Sequence, residues 1–236
     1  MNYQDSFYFK KESNSFFLRW QKSQDYDGKL RKSKEEIKKI LVKKINLKEK
    51  KILEIGCFIG DLLFDLKSKY KSKIYGVEPS SLACKFAKNK FKINLENNTF
   101  LNSKYFIINS SNYQKFDLII CDDILSWVSR DLILPTLGSI DWILKPNGHL
   151  FLRDFSPSYR FAVKNHHWNK EKIFNFKQKN GHKSFFLESG KYKQIFNKKI
   201  ISNKYQTIKS SNRETLIWSD TLLKKINKFT HPIIKI

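Results

Sequence analysis

The sequence is poor in several features that define particular classes of protein. Its three cysteines lie far apart and form no C-x-x-C pair, which excludes a disulfide scaffold and a zinc ribbon. No run approaches the roughly eighteen consecutive apolar residues of a transmembrane helix. The first residues also lack the compact apolar stretch of a secretory signal. We therefore expect a cytoplasmic protein without a membrane partner.

Acidic residues are scarce beside basic ones, with 22 Asp and Glu against 46 Lys and Arg and a formal net charge of +24. Such an excess is typical of nucleic-acid-binding proteins. Only six of the basic residues are arginine, however, and the residues of A/T-rich codons (Lys, Asn, Ile and Phe) are abundant throughout. Because lysine is the poorer bidentate ligand for phosphate, nucleic acid is disfavoured as a partner without being excluded.

Short apolar runs alternate with amphipathic stretches along the chain. The apolar runs predict strands over 51–56, 73–78, 104–109, 116–122 and 149–155. Helical spacing predicts helices over 33–45, 61–70, 80–91 and 131–144. Ser33 with Glu36 has the pattern of a capping box, and residues 145–148 predict a turn. This alternation indicates an α/β protein with a doubly wound, mainly parallel sheet.

The two ends of the chain depart from this alternation. The first 25 residues are rich in aromatic rings and predict a cap on the core, whereas the polar stretch after the fifth strand predicts an insertion. A helix is expected over 184–189, and strands over 192–201 and 214–218 predict an antiparallel pair at the sheet edge. We expect one domain over 1–236, made of an N-terminal helical cap (1–46), a cofactor-binding core (47–154), an acceptor-site insertion (155–190) and terminal strands (191–236).

The most informative motif follows the first predicted strand. Gly56 and Gly60 permit a tight turn and let a ligand approach the backbone at the start of the next helix. Glu78 ends the second strand, where nucleotide-binding α/β proteins carry an acid for the ribose hydroxyls. Glu54, two residues before the first glycine, would repel a pyrophosphate but suits a cationic amino-acid tail. This acid disfavours an oxidoreductase that uses a dinucleotide.

These residues resemble motif I of the class I S-adenosylmethionine-dependent methyltransferases, usually E/D-x-G-x-G-x-G, with Phe58 at the middle glycine. The runs YGVEPS (75–80), FDLIICDDIL (116–125) and LKPNGHL (144–150) resemble the later motifs of that superfamily, in order. The resemblance covers about 47–154. It implies a Rossmann-like, seven-stranded, mainly parallel sheet with an antiparallel edge strand. It also implies S-adenosylmethionine as cofactor and S-adenosylhomocysteine as product.

The resemblance assigns roles to residues at the strand ends. Glu78 would bind both ribose hydroxyls, and Asp122 would lie beside the sulfonium. Asn109 or Ser110 would lie near the adenine. Cys57 alternatively suits a small buried hydrophobic position, and Asp123 a helix cap. The predicted cofactor-binding residues are Glu54, Gly56, Cys57, Phe58, Gly60, Glu78, Pro79, Asn109, Ser110, Asp122 and Asp123.

Three residues are candidates for catalysis. Methyl transfer depends mainly on alignment, but an oxygen or ammonium acceptor must also lose a proton. His166 and His167 lie in the insertion, and histidine is the usual base near neutral pH. Asp154 ends the fifth strand at the same crevice. Adjacent histidines on a surface loop are as often solvated as catalytic, and the histidine spacing predicts no metal site.

The resulting prediction is a methyltransferase acting on an oxygen or nitrogen atom of a small polar metabolite, with anionic and sugar-linked molecules among the options. Residues 154–192 bear a looser likeness to bacterial methyltransferases associated with surface-polysaccharide pathways. One alternative is an RNA methyltransferase, although CDDIL (121–125) lacks the N/D-P-P-[FY] run of many such enzymes. Another is a non-catalytic module that only binds S-adenosylmethionine. The sequence does not indicate the oligomeric state.

Overall fold

A computed structural model describes residues 3–23, 26–106, 111–165, 167–168, 170–201 and 217–226. Its strands are β1 (Lys51–Ile55), β2 (Lys73–Glu78), β3 (Glu96–Asn97), β4 (Phe116–Asp122), β5 (Leu144–Phe155), β6 (Phe161–Lys164), β7 (Phe174–Lys177), β8 (Tyr192–Ile201) and β9 (Ile217–Lys225). Its α-helices are α1 (Tyr3–Phe7), α2 (Ser13–Ser23), α3 (Lys32–Lys44), α4 (Asp61–Tyr70), α5 (Ser81–Phe91), α6 (Ile133–Ile143) and α7 (Lys183–Glu188). A π-helical turn spans Tyr8–Glu12, and 3₁₀ turns span Phe100–Asn102 and Leu125–Trp127. Within these ranges, every helix is too short or too polar to cross a bilayer.

Seven strands form one sheet in the order β3-β2-β1-β4-β5-β9-β8. The first five are parallel, and β9 runs antiparallel to both β5 and β8. The predicted α/β class, the mainly parallel sheet and the antiparallel pair at its edge are thereby confirmed. The remaining two strands, β6 and β7, form a separate hairpin after β5, inside the predicted insertion.

The strands are apolar at nearly every position because helices cover both faces of the sheet. Alternate residues of β4 belong to different core clusters: Leu118 and Ile120 pack with α3 and α4, whereas Ile119 and Cys121 pack with α6. All four are buried. The continuous apolar run over 116–122 therefore reflects a strand that is covered twice.

The third strand was predicted in the wrong place. It is the short segment Glu96–Asn97, whereas Lys104–Phe106 forms a turn and 107–109 lies outside the described residues. The apolar run over 104–109 gave the wrong prediction because Tyr105 is buried in the core cluster although it lies outside the sheet. Apolar residues of a buried turn and of a short strand look alike in sequence.

Other boundaries also differ from prediction. Helix α3 begins at Lys32 and is capped at Arg31, so the capping box at Ser33 is wrong. Arg31 makes no side-chain cap bond, and its backbone N–H donates to Oδ2 of Asp61 at 3.1 Å. The predicted turn at 145–148 lies inside β5, where Asn147 has φ +61° and the pairing with β4 shifts register. Strand β9 extends to Lys225, well past 218, because it pairs along this length with β5 and β8. The prediction ended too early because Ser219, Asp220 and Thr221 are polar although they are buried.

Candidate active site

A cavity of about 500 Å³ opens at the carboxyl ends of the parallel strands. Ligands of open α/β sheets generally bind at this edge. One wall comes from the ends of β1, β2 and β4, and another from the N-terminal segment through Tyr8, Glu12 and Phe16. Among the predicted site residues, those that line the cavity are Gly56, Phe58, Glu78, Pro79, Asp122 and Asp123.

The turn after β1 requires glycine at two positions. Gly56 has φ +69°, and a Cβ there would lie 2.4 Å from Cγ2 of Ile124. Gly60 has φ +70° and caps α4, and its Cβ would lie 2.7 Å from Cδ1 of Ile93. Gly56 also lines the cavity and presents its backbone there, whereas Gly60 lies outside the lining. Cys57 is fully buried in the core, and burial raises the pKa of its thiol well above the ordinary value.

Phe58 replaces the middle glycine of the motif and keeps the left-handed backbone that glycine favours, with φ +54°. Its backbone N–H donates to Oε2 of Glu78 at 2.8 Å. Its ring packs against Phe16, Phe17 and Trp20 of α2, with centroid separations of 5.3, 5.9 and 5.1 Å. The ring therefore joins the motif to the N-terminal helices and leaves the Gly56 backbone uncovered.

Glu78 is buried at the end of β2 and its carboxylate points along the motif. Its Oε1 accepts the backbone N–H of Ser80 and its Oε2 that of Phe58, both at 2.8 Å. Burial raises the pKa of Glu78 to about 7, although the two N–H donors oppose the shift. Two fixed N–H donors hold the carboxylate in one orientation. It can accept further hydrogen bonds from ligand hydroxyls.

The residues expected near an adenine, Asn109 and Ser110, lie outside the described residues. Residues 98–101, which directly follow β3, line the cavity. Sequence reasoning missed this segment because it placed the third strand at 104–109. A correctly placed strand would have pointed to the loop after Asn97.

A network of charged side chains lies at the wall of the cavity. The Nζ of Lys34 lies 2.6 Å from Glu54 and 2.8 Å from Asp122, and Arg153 pairs with Asp220 at 2.7 Å. Burial opposes ionisation of Asp122, yet Lys34 and Arg153 hold its pKa below the ordinary value. For Glu54, burial outweighs Lys34 and raises the pKa.

Glu54 does not line the cavity; its Oε1 contacts Lys34, which does, and its predicted role in binding the cofactor stays a prediction. Sequence reasoning missed Lys34. Its spacing from Ile37 and Leu41 was the available signal, because it places the lysine on the buried face of α3.

Asp154 lies behind the cavity and acts as a structural anchor. Its Oδ2 accepts the backbone N–H of His182 at 2.8 Å and lies 2.5 Å from Nδ1 of that histidine. Its Oδ1 accepts the hydroxyl of Ser126 at 2.8 Å. Burial opposes its ionisation, but His182 holds the pKa of Asp154 below the ordinary value. The pair ties the insertion to the 3₁₀ turn after β4. Sequence reasoning missed His182.

The predicted catalytic histidines are not brought into the cavity by the described structure. His166 lies outside the described residues. His167 is exposed and does not line the cavity, and its backbone N–H donates to Oδ1 of Asn165 at 3.0 Å. A role for either as a base stays a prediction.

Asp123 is a lining carboxylate with an unsatisfied side-chain oxygen. Its backbone has φ +55°, and its N–H donates to the carbonyl of Arg153 at 2.8 Å. Its Oδ1 is buried and has no hydrogen-bond partner among the described residues. Burial raises the pKa of Asp123 well above the ordinary value, against the nearby charge of Lys177. The expected helix-cap role is not seen, because the 3₁₀ turn that follows has no side-chain cap.

Comparison with known proteins agrees with this geometry. Residues 46–211 match a protein family described as "Methyltransferase domain". An uncharacterized protein of Rickettsia prowazekii is 32% identical over 107 residues, which are 45% of this chain and 43% of that relative. The chain thus matches less than half the length of this relative.

Two solved structures share the fold at low sequence identity. One is the 1,6-didemethyltoxoflavin-N1-methyltransferase of Burkholderia thailandensis with bound 1,6-didemethyltoxoflavin and S-adenosylhomocysteine. It has a TM-score of 0.55 and 11% identity, covering 76% of this chain and 72% of that one. The other is a SAM-dependent methyltransferase of Methanosarcina mazei. It has a TM-score of 0.59 and 14% identity, covering 85% of this chain and all of that one.

Proposed function

The chain belongs to the family of methyltransferase domains, and we propose that it is an enzyme that transfers a methyl group from S-adenosylmethionine to an oxygen or nitrogen atom of a small polar molecule. The observation that carries the proposal is the pairing of two features in one cavity. Bare backbone at Gly56 and the oriented carboxylate of Glu78 lie there at neighbouring strand ends.

The residues present fit this cofactor. Glu78 would accept both ribose hydroxyls, as strand-end acids do in nucleotide-binding α/β proteins. Gly56 would admit the ligand close to the main chain, and Asn98–Leu101 would flank the adenine. Lys34 and Asp122 would meet the charged methionine end. The chemistry supplied by the bound cofactor is transfer of its methyl group, in which a bond to the acceptor forms while the carbon–sulfur bond breaks and leaves its electron pair on sulfur.

The chain's own contribution would be alignment and exclusion of water. Trp127, Val128 and Trp218 line the cavity together with the N-terminal segment, so an acceptor would be held between apolar walls. A volume of about 500 Å³ suits one nucleoside-sized cofactor and a small acceptor.

The basic side chains that line the cavity bear on the expectation of an anionic or sugar-linked acceptor. Within the described part of the chain, each basic side chain that lines the cavity is already paired: Arg31 with Asp61, Lys34 with Glu54, and Arg153 with Asp220. These pairs leave little positive charge for an anion. The association with polysaccharide synthesis gains no support from this wall.

Binding of S-adenosylhomocysteine, measured by titration calorimetry, tests the proposal. We expect Glu78→Gln to weaken binding at least ten-fold, because an amide accepts hydrogen bonds less well and cannot keep both N–H contacts. In the wild type, affinity should fall as the pH drops below about 7, where Glu78 gains a proton. Glu35→Gln is the matched control, since Glu35 is exposed on α3. Binding of NAD in place of S-adenosylhomocysteine would refute the proposal, and steeply salt-dependent binding of RNA would favour the RNA alternative.

A further inference from the structure

The part of the cavity beyond Gly56 and Glu78 has aromatic walls. Tyr8 and Trp127 contact each other with ring centroids 5.6 Å apart and ring planes inclined at 62°. Trp218 also lines the cavity, packed against the ring of Phe155. Aromatic faces of this kind attract cations through the ring quadrupole.

Acidic side chains outnumber basic ones in the lining of the cavity. Five carboxylates line the cavity, and three basic side chains do so. Since each of these basic groups is also paired with a carboxylate, the lining offers no surplus cation within the described residues. The carboxylates are Asp5, Glu12, Glu78, Asp122 and Asp123.

Asp123 differs from three of the other lining carboxylates, Asp122, Glu12 and Glu78. Asp122 is paired with Lys34, and Glu12 with Arg19 at 2.7 Å. Glu78 is held by two N–H donors. By contrast, Oδ1 of Asp123 is buried without a hydrogen-bond partner among the described residues. A buried polar atom in this state destabilises the fold, and a charged one destabilises it more.

The charged groups around Asp123 do not supply that partner. Asp122 and Asp154 raise its pKa, and a hydrogen bond from the Trp127 side chain lowers it. Lys177 of β7 also lowers it, but its Nζ lies over the ring of Phe155, 2.6 Å from the centroid. Burial lowers the pKa of Lys177 itself to about 7, so its charge is only partly present at neutral pH.

The backbone at Asp123 is also strained. A non-glycine residue with φ +55° is held there by the N–H bond to the carbonyl of Arg153. Strain of this kind concentrates at functional sites, where it aims a side chain that an ordinary backbone would turn away.

We propose that the methyl acceptor is an amine, which enters as an ammonium ion, donates an N–H to Oδ1 of Asp123 and lies against the rings of Tyr8, Trp127 and Trp218. This inference rests on the proposed function, because it names the acceptor of the same site. Asp123 would then take one proton from the ammonium. The nitrogen lone pair that is freed receives the methyl group, so the product is the N-methylated ammonium and the proton leaves from Asp123 to solvent.

The raised pKa of Asp123 suits this proton transfer, because it brings the carboxyl closer to the pKa of the group it must deprotonate. Protonation in the absence of ligand would also relieve the buried charge. An incoming ammonium would restore the ionised form.

Three probes of equal size test the charge preference: butylammonium, butyrate and butanol, each titrated against the protein by tryptophan fluorescence. We expect butylammonium to bind at least ten-fold more tightly than butyrate or butanol. Asp123→Asn should weaken butylammonium binding at least ten-fold and leave butanol unaffected. Asp131→Asn is the matched control, since Asp131 is exposed and lies on the same segment between β4 and α6. Ammonium binding should also weaken as the pH falls and Asp123 is protonated.

Two results would overturn the inference: equal or tighter binding of butyrate, or unchanged butylammonium affinity in Asp123→Asn. Should that variant fail to fold, the ranking of the three probes on the wild type decides alone. The test is independent of the proposed function, because the probes are titrated without cofactor. Failure to bind S-adenosylhomocysteine would refute the methyltransferase, whereas loss of the amine preference would refute only the acceptor class.

Discussion

Replacing Phe58 with glycine restores the motif residue of the superfamily but should destabilise this protein. The ring of Phe58 is 7% exposed and contacts three aromatic rings of α2. The guanidinium of Arg31 also lies over it, 4.9 Å from its centroid. Phe58→Gly therefore removes the side chain that fastens the N-terminal helices to the turn after β1.

Two opposing contributions determine the magnitude. Loss of a buried phenylalanine side chain costs about 3–5 kcal/mol, which includes the cavity left behind. Glycine adopts the left-handed backbone at φ +54° without the steric cost that phenylalanine has, which recovers about 1 kcal/mol of stability. We therefore expect the free energy of unfolding to fall by about 2–4 kcal/mol.

Urea unfolding followed by circular dichroism measures this change, with limited proteolysis to report release of the N-terminal helices. Lys71→Gly is the matched control, because Lys71 has the same φ of +54° but is exposed at the end of α4. The control should be neutral or stabilising by up to about 1 kcal/mol. The difference between the two variants isolates the ring. A Phe58→Gly variant as stable as the wild type would refute the view that this ring anchors the N-terminal helices.

Two further predictions concern the charges and the proposed base. Lys34→Met should lower the free energy of unfolding by about 3–5 kcal/mol, because it leaves Glu54 and Asp122 buried without their cation. The loss of unfolding free energy should shrink as the pH falls and Glu54 is protonated. Lys38→Met is the control, and it should cost less than about 1 kcal/mol because the pair of Lys38 with Asp65 is partly exposed. A loss as small as this in Lys34→Met would contradict the prediction. His167→Ala should keep the methylation rate if Asp123 takes the proton. A lower rate with unchanged S-adenosylhomocysteine affinity would instead identify His167 as the base.

The elements near the motifs were predictable because their signals are local. The turn over Gly56 and Gly60 needs positive φ angles, and only a few residue types provide them readily. Glu78 ends an apolar strand whose length is apparent from the pattern alone. Gly56 and Glu78 line the cavity, and their role in binding a cofactor stays a proposal.

The partners of the charged residues were not predictable, because they come from distant parts of the chain. The motif predicts that Glu54 binds the cofactor, but the carboxylate of Glu54 pairs with Lys34 of α3. Its position at a strand end predicts that Asp154 is a catalytic base, but its carboxylate contacts the ring of His182, which lies 28 residues later in the chain. A motif shows which residue types occur at a strand end, and it does not show which side chains the other elements bring to them.

The sequence by itself determined the α/β alternation around β1, β2, β4 and β5, the glycine turn and the acid at the end of β2, since each depends on short-range periodicity or on backbone conformation. The scarcity of cysteine, acid and long apolar runs narrowed the classes of protein and left the role of the positive charge open. Only the tertiary structure decided how the charges are used. It pairs the basic side chains lining the cavity with carboxylates and leaves one oxygen of Asp123 without a partner among the described residues. Burial makes the contrast between paired and unpaired groups large in free energy, because a polar atom without a hydrogen bond is far less favourable inside the protein than in water.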